Sequence, residues 1–195
     1  MKIKTLKIKN FRGYRGEISV NFDEFTALVG KNDIGKSSIM EALDVFFNDG
    51  KGIVKLDKED VNVGARANHE SEISITICFS ELPDRIVIDA TNETTLLGEH
   101  LLNEDGLLEI TKKYPNGGSA KVFIRAFHPT NPDCADLLLK KDSELRRIID
   151  AKQIPCADRA RNAVMRSAIW QYYNDSLRMS LIDIDVTKGD TKSIW

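Results

Sequence analysis

Residues 25–47 read Phe25-Thr26-Ala27-Leu28-Val29-Gly30-Lys31-Asn32-Asp33-Ile34-Gly35-Lys36-Ser37-Ser38-Ile39-Met40-Glu41-Ala42-Leu43-Asp44-Val45-Phe46-Phe47. The continuous apolar run from Phe25 to Val29 predicts a strand buried on both faces, in the middle of a sheet. Ile39, Met40, Leu43, Phe46 and Phe47 recur at helical spacing, which predicts a helix opening at Lys36 and stopped by Asn48-Asp49-Gly50. Between strand and helix, Gly30 to Ser37 satisfies G-x-x-x-x-G-K-[ST] at every fixed position. Gly30 and Gly35 let the backbone curl so that successive N–H groups point inward. The helix start adds the positive end of its dipole. Lys36 is then a point charge for β- and γ-phosphates, and the Ser37 hydroxyl is a ligand for Mg²⁺. The expected cofactors are ATP and Mg²⁺, held by Gly30, Lys31, Asn32, Asp33, Ile34, Gly35, Lys36, Ser37 and the adjoining Ser38. The bland alternative is an ordinary glycine-rich strand–helix turn.

Working outward, residues 2–9 alternate Lys with Ile or Leu and predict an edge strand with one wet face. Residues 11–16 carry two glycines and read as a turn, and Glu17 to Phe22 predicts a second strand antiparallel to the first. Residues 48–71 are polar and predict a long surface connection. Period-two patterning returns over 72–79, with Ile73, Ile75, Ile77 and Phe79 on one face. Residues 85–89, 107–113 and 121–125 read as further strands, the last two joined by the turn Asn116-Gly117-Gly118. Past Pro132 the pattern is helical, with a helix capped by Asp142 or Ser143 and a longer one capped by Asp158. Residues 181–186 read as a short strand, and Thr187 to Trp195 shows no stop signal. The expected fold class is α/β: a mixed sheet around the helix at Lys36, a β-rich lobe over 72–127 and a helical segment over 132–179.

The 195 residues carry 28 Lys+Arg against 30 Asp+Glu, a formal net charge of −2, with 42% hydrophobic residues. That is an ordinary globular balance and excludes a disordered chain. No apolar run approaches the roughly 20 residues of a membrane span, and lysines interrupt the start where a signal peptide needs an apolar core. Three scattered cysteines, Cys78, Cys134 and Cys156, argue against a disulfide framework or a zinc site and point to a cytoplasmic chain.

The lead-in Lys7-Ile8-Lys9-Asn10-Phe11-Arg12-Gly13-Tyr14, about twenty residues before a G-x-N-x-x-G-K-S loop, resembles RecF and SMC-like ATPases of the ABC class. The Asn32-Asp33-Ile34 variant of the loop and Ser80-Glu81-Leu82-Pro83 look most like the overcoming-lysogenization-defect family of phage-defence ATPases. The specific match covers residues 1–50. This resemblance implies a P-loop head of the ABC/SMC type that pairs with a second head as a homo-oligomer, often beside a nuclease domain or effector subunit, and that acts on DNA. It also implies that Arg12, in the basic turn, contacts phosphate.

Such a head needs an Asp closing an apolar strand, a following Glu and a Ser-Gly signature. None is recognisable within the chain, so these are expected beyond residue 195, and residues 1–195 alone are expected not to turn ATP over. Asp183, in Leu181-Ile182-Asp183-Ile184-Asp185, is a candidate for a magnesium-associated acid; a solvent-facing acid at a strand end is the alternative. An acid at Asp60 or Asp57 can stand where such heads carry a glutamine, as a magnesium ligand or catalytic acid, unless the segment is only a solvated loop. Six basic residues precede the first acid, Glu17, and either track a phosphate backbone or protect a strand edge. Arg146, Arg147, Arg159, Arg161 and Arg166 form a second basic group among acids, read as a solvated helix face or a DNA contact. The function expected is an ATP-driven head of a DNA-acting machine. The alternatives are an assembly module that binds ATP to hold an oligomer, and a small kinase using the same loop.

Overall fold

The computed structural model describes residues 1–30, 35–89 and 92–187. The chain forms two compact units: Met1–Glu81 with Glu109–Val122, and Leu82–Leu108 with Phe123–Trp195, the latter described as far as Thr187.

In the first unit, β1 (Lys2–Lys9) pairs antiparallel on one side with β2 (Ile18–Asn21) and on the other with β3 (Glu72–Ser80). The lysine-rich strand is therefore internal, which corrects the edge expectation; β2 lies outside it. Alternation on β1 serves a sheet face with apolar residues beneath, since Leu6 and Ile8 are fully buried. Its lysines meet acids above: Lys2 pairs with Glu24 and Glu81, Lys4 with Asp23, and Lys7 with Glu109. On β3, Ile73, Ile75, Ile77 and Phe79 are buried as their spacing predicts.

One long helix, α1 (Lys36–Asn48), covers this sheet. It buries Ile39, Ala42, Val45 and Phe46, and the rings of Phe46 and Phe47 each lie 6.4 Å from Phe79. Burying Ile39, Val45 or Phe46 contributes on the order of 1.5–3 kcal/mol each. Residues 48–71 are more ordered than their polarity suggests. They hold a single 3₁₀ turn at Lys58–Asp60 and a short helix α2 (Val63–Ala67), anchored by the buried Val61 and Ala65.

The expectation for residues 25–29 fails. Thr26 to Gly30 carries no strand or helix, and Phe25 and Val29 are 87% and 91% exposed. A central strand exists only where neighbours supply its backbone hydrogen bonds. Among the described residues no strand pairs with this run, so its apolar pattern is met by no sheet.

In the second unit, β4 (Ile86–Asp89) and β5 (Asn92–Thr94) form a small antiparallel pair; β5 is too short and polar to be read from the sequence. The first unit's β6 (Leu108–Pro115) runs into the Asn116-Gly117 turn, and β7 (Lys121–Pro129) follows. Within the second unit β7 pairs antiparallel with β8 (Met179–Asp185). The helices α3 (Asp142–Lys152) and α4 (Asn162–Tyr172) share a core of Cys134, Leu137, Leu145, Ile149, Ile154, Met165, Ile169 and Trp170. The helix starts differ from expectation. Lys141 precedes α3, with Glu144 accepting from its N–H. Asp158 caps no helix; it accepts from the N–H of Ala160 in the preceding turn, and α4 opens later, after Arg161.

Candidate functional site

Lys31, Asn32, Asp33 and Ile34 lie outside the described residues, so the loop is seen from its two flanks. Gly35 ends it in the left-handed region at φ 84°, where a side chain is strained. An added Cβ would also meet the Tyr14 hydroxyl at 2.6 Å, and that hydroxyl donates to the Gly35 carbonyl at 3.1 Å. The Phe11–Tyr14 turn thus rests against the start of α1. The Lys36 ammonium donates to the Gly30 carbonyl at 2.5 Å, spanning the loop. Ser37 is exposed and Ser38 half-buried. Among the described residues no side chain caps this end of α1, and its first turn carries no acid. A helix start without a side-chain cap or a first-turn acid presents the positive end of its dipole, and it suits an anion.

Arg12 sits within the same turn, at φ 48°. Its backbone N–H donates to the Asp60 carbonyl at 2.7 Å, and its carbonyl accepts from the Asn62 amide. Its side chain joins two carboxylates: Nε donates to Asp60 at 2.8 Å, and Nη1 pairs with Glu41 of α1. Partial burial opposes the guanidinium charge, and the bonds to Asp60 and Glu41 outweigh it, so Arg12 is held above its ordinary range. Asp60 is engaged twice, because its other oxygen accepts from the N–H of Asp57 in a capping box. Asn62 completes the segment by accepting from Gly64 and Ala65 as the N-cap of α2.

The reason this segment stays close to α1 lies in the turn after β6. Gly117, at φ 66°, approaches Asp57 so closely that an added Cβ would fall 2.1 Å from its carbonyl oxygen. Asn116-Gly117-Gly118 reads as a turn from sequence; that it also backs residues 57–60 needs tertiary packing. Glu41 and Asn62 carry no motif of their own, and the motifs that hold Tyr14 and Gly117 say nothing of these contacts. Only the position of Glu41 on the helix after the loop hints at a role.

At the far end of α1 the side chains close in. The Tyr114 hydroxyl donates to the Val45 carbonyl at 3.1 Å, and the Lys112 ammonium donates to the Phe46 carbonyl at 2.7 Å. Lys112 also pairs with Asp49 and lies 5.0 Å from the centre of the Phe46 ring. Burial pushes the Lys112 ammonium down, with Asp49 opposing, and burial pushes the Tyr114 phenol up.

Asp183 lies in the second unit, on β8, exposed and 3.6 Å from Arg125 across the β7–β8 register. Of the second basic group, Arg146 pairs with Asp142, Arg159 with Asp150 and Arg161 with Asp158. Arg166 is fully buried and makes two bonds to Glu99, at 2.7 and 2.8 Å. No helix among the described residues is long and apolar enough to cross a membrane.

Comparison with known proteins finds likenesses to curated proteins, to solved structures and to a family model. Over 131 residues, 64% of the chain, it is 28% identical to structural maintenance of chromosomes protein 1 of Caenorhabditis elegans, of which the match covers 10%. Over 50 residues, 26% of the chain, it is 44% identical to an uncharacterised protein of Methanocaldococcus jannaschii, of which the match covers 23%. The chain therefore spans less than a quarter of the length of either curated relative. A solved structure described as the structural biochemistry of ATP-driven dimerization and DNA-stimulated activation of SMC ATPases superposes with a TM-score of 0.43 at 18% identity, covering 77% of this chain and 98% of that one. The family model of the AAA ATPase domain matches residues 1–195. The α/β P-loop fold expected from residues 25–47 agrees with that match, and the chain belongs to the AAA ATPase domain family.

Proposed function

We propose that this chain is the N-terminal part of one ABC-type ATPase head that binds ATP and Mg²⁺ on residues 30–37. In the complete assembly the head hydrolyses ATP, pairs with a second head, and regulates a DNA-acting, nuclease-linked machine of phage defence or repair in the cytoplasm. The observation that carries the reading is the Gly30–Ser37 motif opening a helix whose start, among the described residues, bears no side-chain cap and no first-turn acid, in a chain of the AAA ATPase domain family. A triphosphate matches that environment, with Lys36 as counter-charge and Ser37 as the magnesium-side hydroxyl. Lys31, Asn32, Asp33, Ile34 and Ser38 complete the cradle, and Arg12 reaches phosphate from the adjoining turn. Asp60 and Asp183 are the candidate acids for metal or water. The exposed run Phe25–Val29 supports a head completed by further strands, since its residues are suited to burial on both faces.

Titration of a fluorescent ATP analogue into the wild type, Lys36→Ala and Ser37→Ala tests the site. Lys36→Ala should bind far more weakly. Ser37→Ala should lose mainly the magnesium-dependent component. Equal affinity of wild type and Lys36→Ala would remove the site. Non-specific DNA binding by the complete protein should fall steeply as salt rises, because phosphate contacts release counterions; salt-insensitive binding would remove the DNA role.

A further inference from the structure

The Arg12 cluster holds one cation against two carboxylates. The side chains of Arg12 and Glu41 are each 32% exposed and that of Asp60 is 14% exposed, so solvent screens them only in part. Their formal sum is one negative charge, set beside the helix that opens the phosphate loop. The backbone of Arg12 is pinned at both its N–H and its carbonyl, which leaves the side chain as the part able to exchange partners. Glu41 follows Lys36 by five residues, about 7.5 Å along the helix axis at 1.5 Å per residue. Tyr14, two residues after Arg12, already touches Gly35. A phosphate offers a guanidinium the same forked geometry as a carboxylate, with more charge.

We propose that Glu41 and Asp60 compete with the nucleotide's phosphates for Arg12, so that the arginine is held off the loop until a triphosphate displaces its carboxylates. The inference rests on the reading that residues 30–37 take ATP. Its consequence is a reversed sign. Removing a negative partner from an ion pair ordinarily loosens a site; here Glu41→Gln frees Arg12 and tightens ATP binding. Asp60, once released by Arg12, regains an oxygen with which to face the metal side of the nucleotide.

The test is a double-mutant cycle on the full-length protein, read as the affinity for a fluorescent ATP analogue with magnesium. Glu41→Gln in the wild-type background should tighten binding by about two- to fivefold, the size of a partly exposed ion pair. In an Arg12→Gln background the same substitution should change nothing. Asp60→Asn, which keeps an oxygen for the Asp57 N–H, serves as the second variant and should behave alike. Weaker or unchanged binding in both single variants overturns the inference. An equal gain with and without Arg12 also overturns it, since a general field effect would then suffice. Lys36→Ala separates the two readings. Loss of binding in Lys36→Ala without any Glu41 or Asp60 effect defeats only the exchange. Unchanged binding in Lys36→Ala defeats the ATP site and the exchange together.

Discussion

The two ends of α1 are built in opposite ways. At the C-terminal end, Tyr114 and Lys112 of β6 cap the Val45 and Phe46 carbonyls, and Asp49 balances the buried ammonium. The helix's own last turn contains no basic residue, so the cation that complements the dipole comes from a strand more than sixty positions away. At the N-terminal end, no side chain among the described residues does the equivalent work, Ser37 is exposed, and Lys36 is the loop's cation among the described residues. A helix clamped at one end and bare at the other is an anchored donor. Its fixed end resists movement, and its other end, capped by no side chain among the described residues, turns the positive end of the dipole toward an anion.

The largest expected effect falls on the bare end. Lys36→Ala removes a charged hydrogen bond worth about 1.5–3 kcal/mol, so nucleotide affinity should fall roughly ten- to hundredfold in the fluorescence titration. Its melting temperature without nucleotide should match the wild type. A large loss of stability would break the contrast, because it would make Lys36 part of the scaffold.

Lys112→Met should do the reverse. It leaves the Phe46 carbonyl without its charged donor and should lower stability by about 1.5–3 kcal/mol, or roughly 3–12 °C in melting temperature for a chain of this size. Nucleotide binding by the folded fraction should survive. A binding defect larger than that of Lys36→Ala, with an unchanged melt, would mean that the clamped end also sets the ligand geometry.

The glycines test how closely the surroundings press on the site. Gly35→Ala meets both a left-handed backbone, at about 1–2 kcal/mol, and the Tyr14 hydroxyl. It should weaken binding and stability together. Gly117→Ala meets the Asp57 carbonyl and should cost about 1–3 kcal/mol by overpacking, with the loss read in a denaturant melt. An unaffected Gly117→Ala would show that residues 57–60 yield freely and do not support Arg12.

The smallest effect is in alkali and belongs to the clamped end. Burial lowers the Lys112 value below its unfolded one of about 10.4. In the window below that value the unfolded chain binds more protons, and stability rises with pH. Burial raises Tyr114 above its unfolded value of about 10, so its contribution is whole below pH 10 and is lost as pH climbs further. The two oppose each other in the wild type. Lys112→Met should show only the alkaline loss, and Tyr114→Phe only the gain, in melts from pH 8 to 11. Identical profiles in all three proteins would place the titration elsewhere.

Much of the first unit was legible because its elements answer to local rules. The alternation of Ile73, Ile75, Ile77 and Phe79 requires a strand with one buried face, and the spacing of Ile39, Leu43 and Phe46 requires a helix. The misreadings share a cause. Phe25 to Val29 has the composition of a central strand, yet a strand is defined by its neighbours, and none among the described residues pairs with it. The lysines of β1 look like edge protection because alternation is the same on an internal strand whose lysines find Glu24, Glu81, Asp23 and Glu109. Asp158 has the chemistry of a helix cap but spends its carboxylate on a turn.

The amino-acid sequence by itself determined the phosphate-loop motif, the helix that follows it, and the pattern of most strands, because glycine placement and the 3.6- and 2-residue periods act over a few residues. Only the tertiary structure decided which groups surround that helix. Arg12, Glu41 and Asp60 come from three segments, and Lys112 reaches Phe46 across 66 positions. Contacts of that kind depend on strand register and on the approach of Gly117 to Asp57, which pack distant residues together without leaving a periodic trace in the chain.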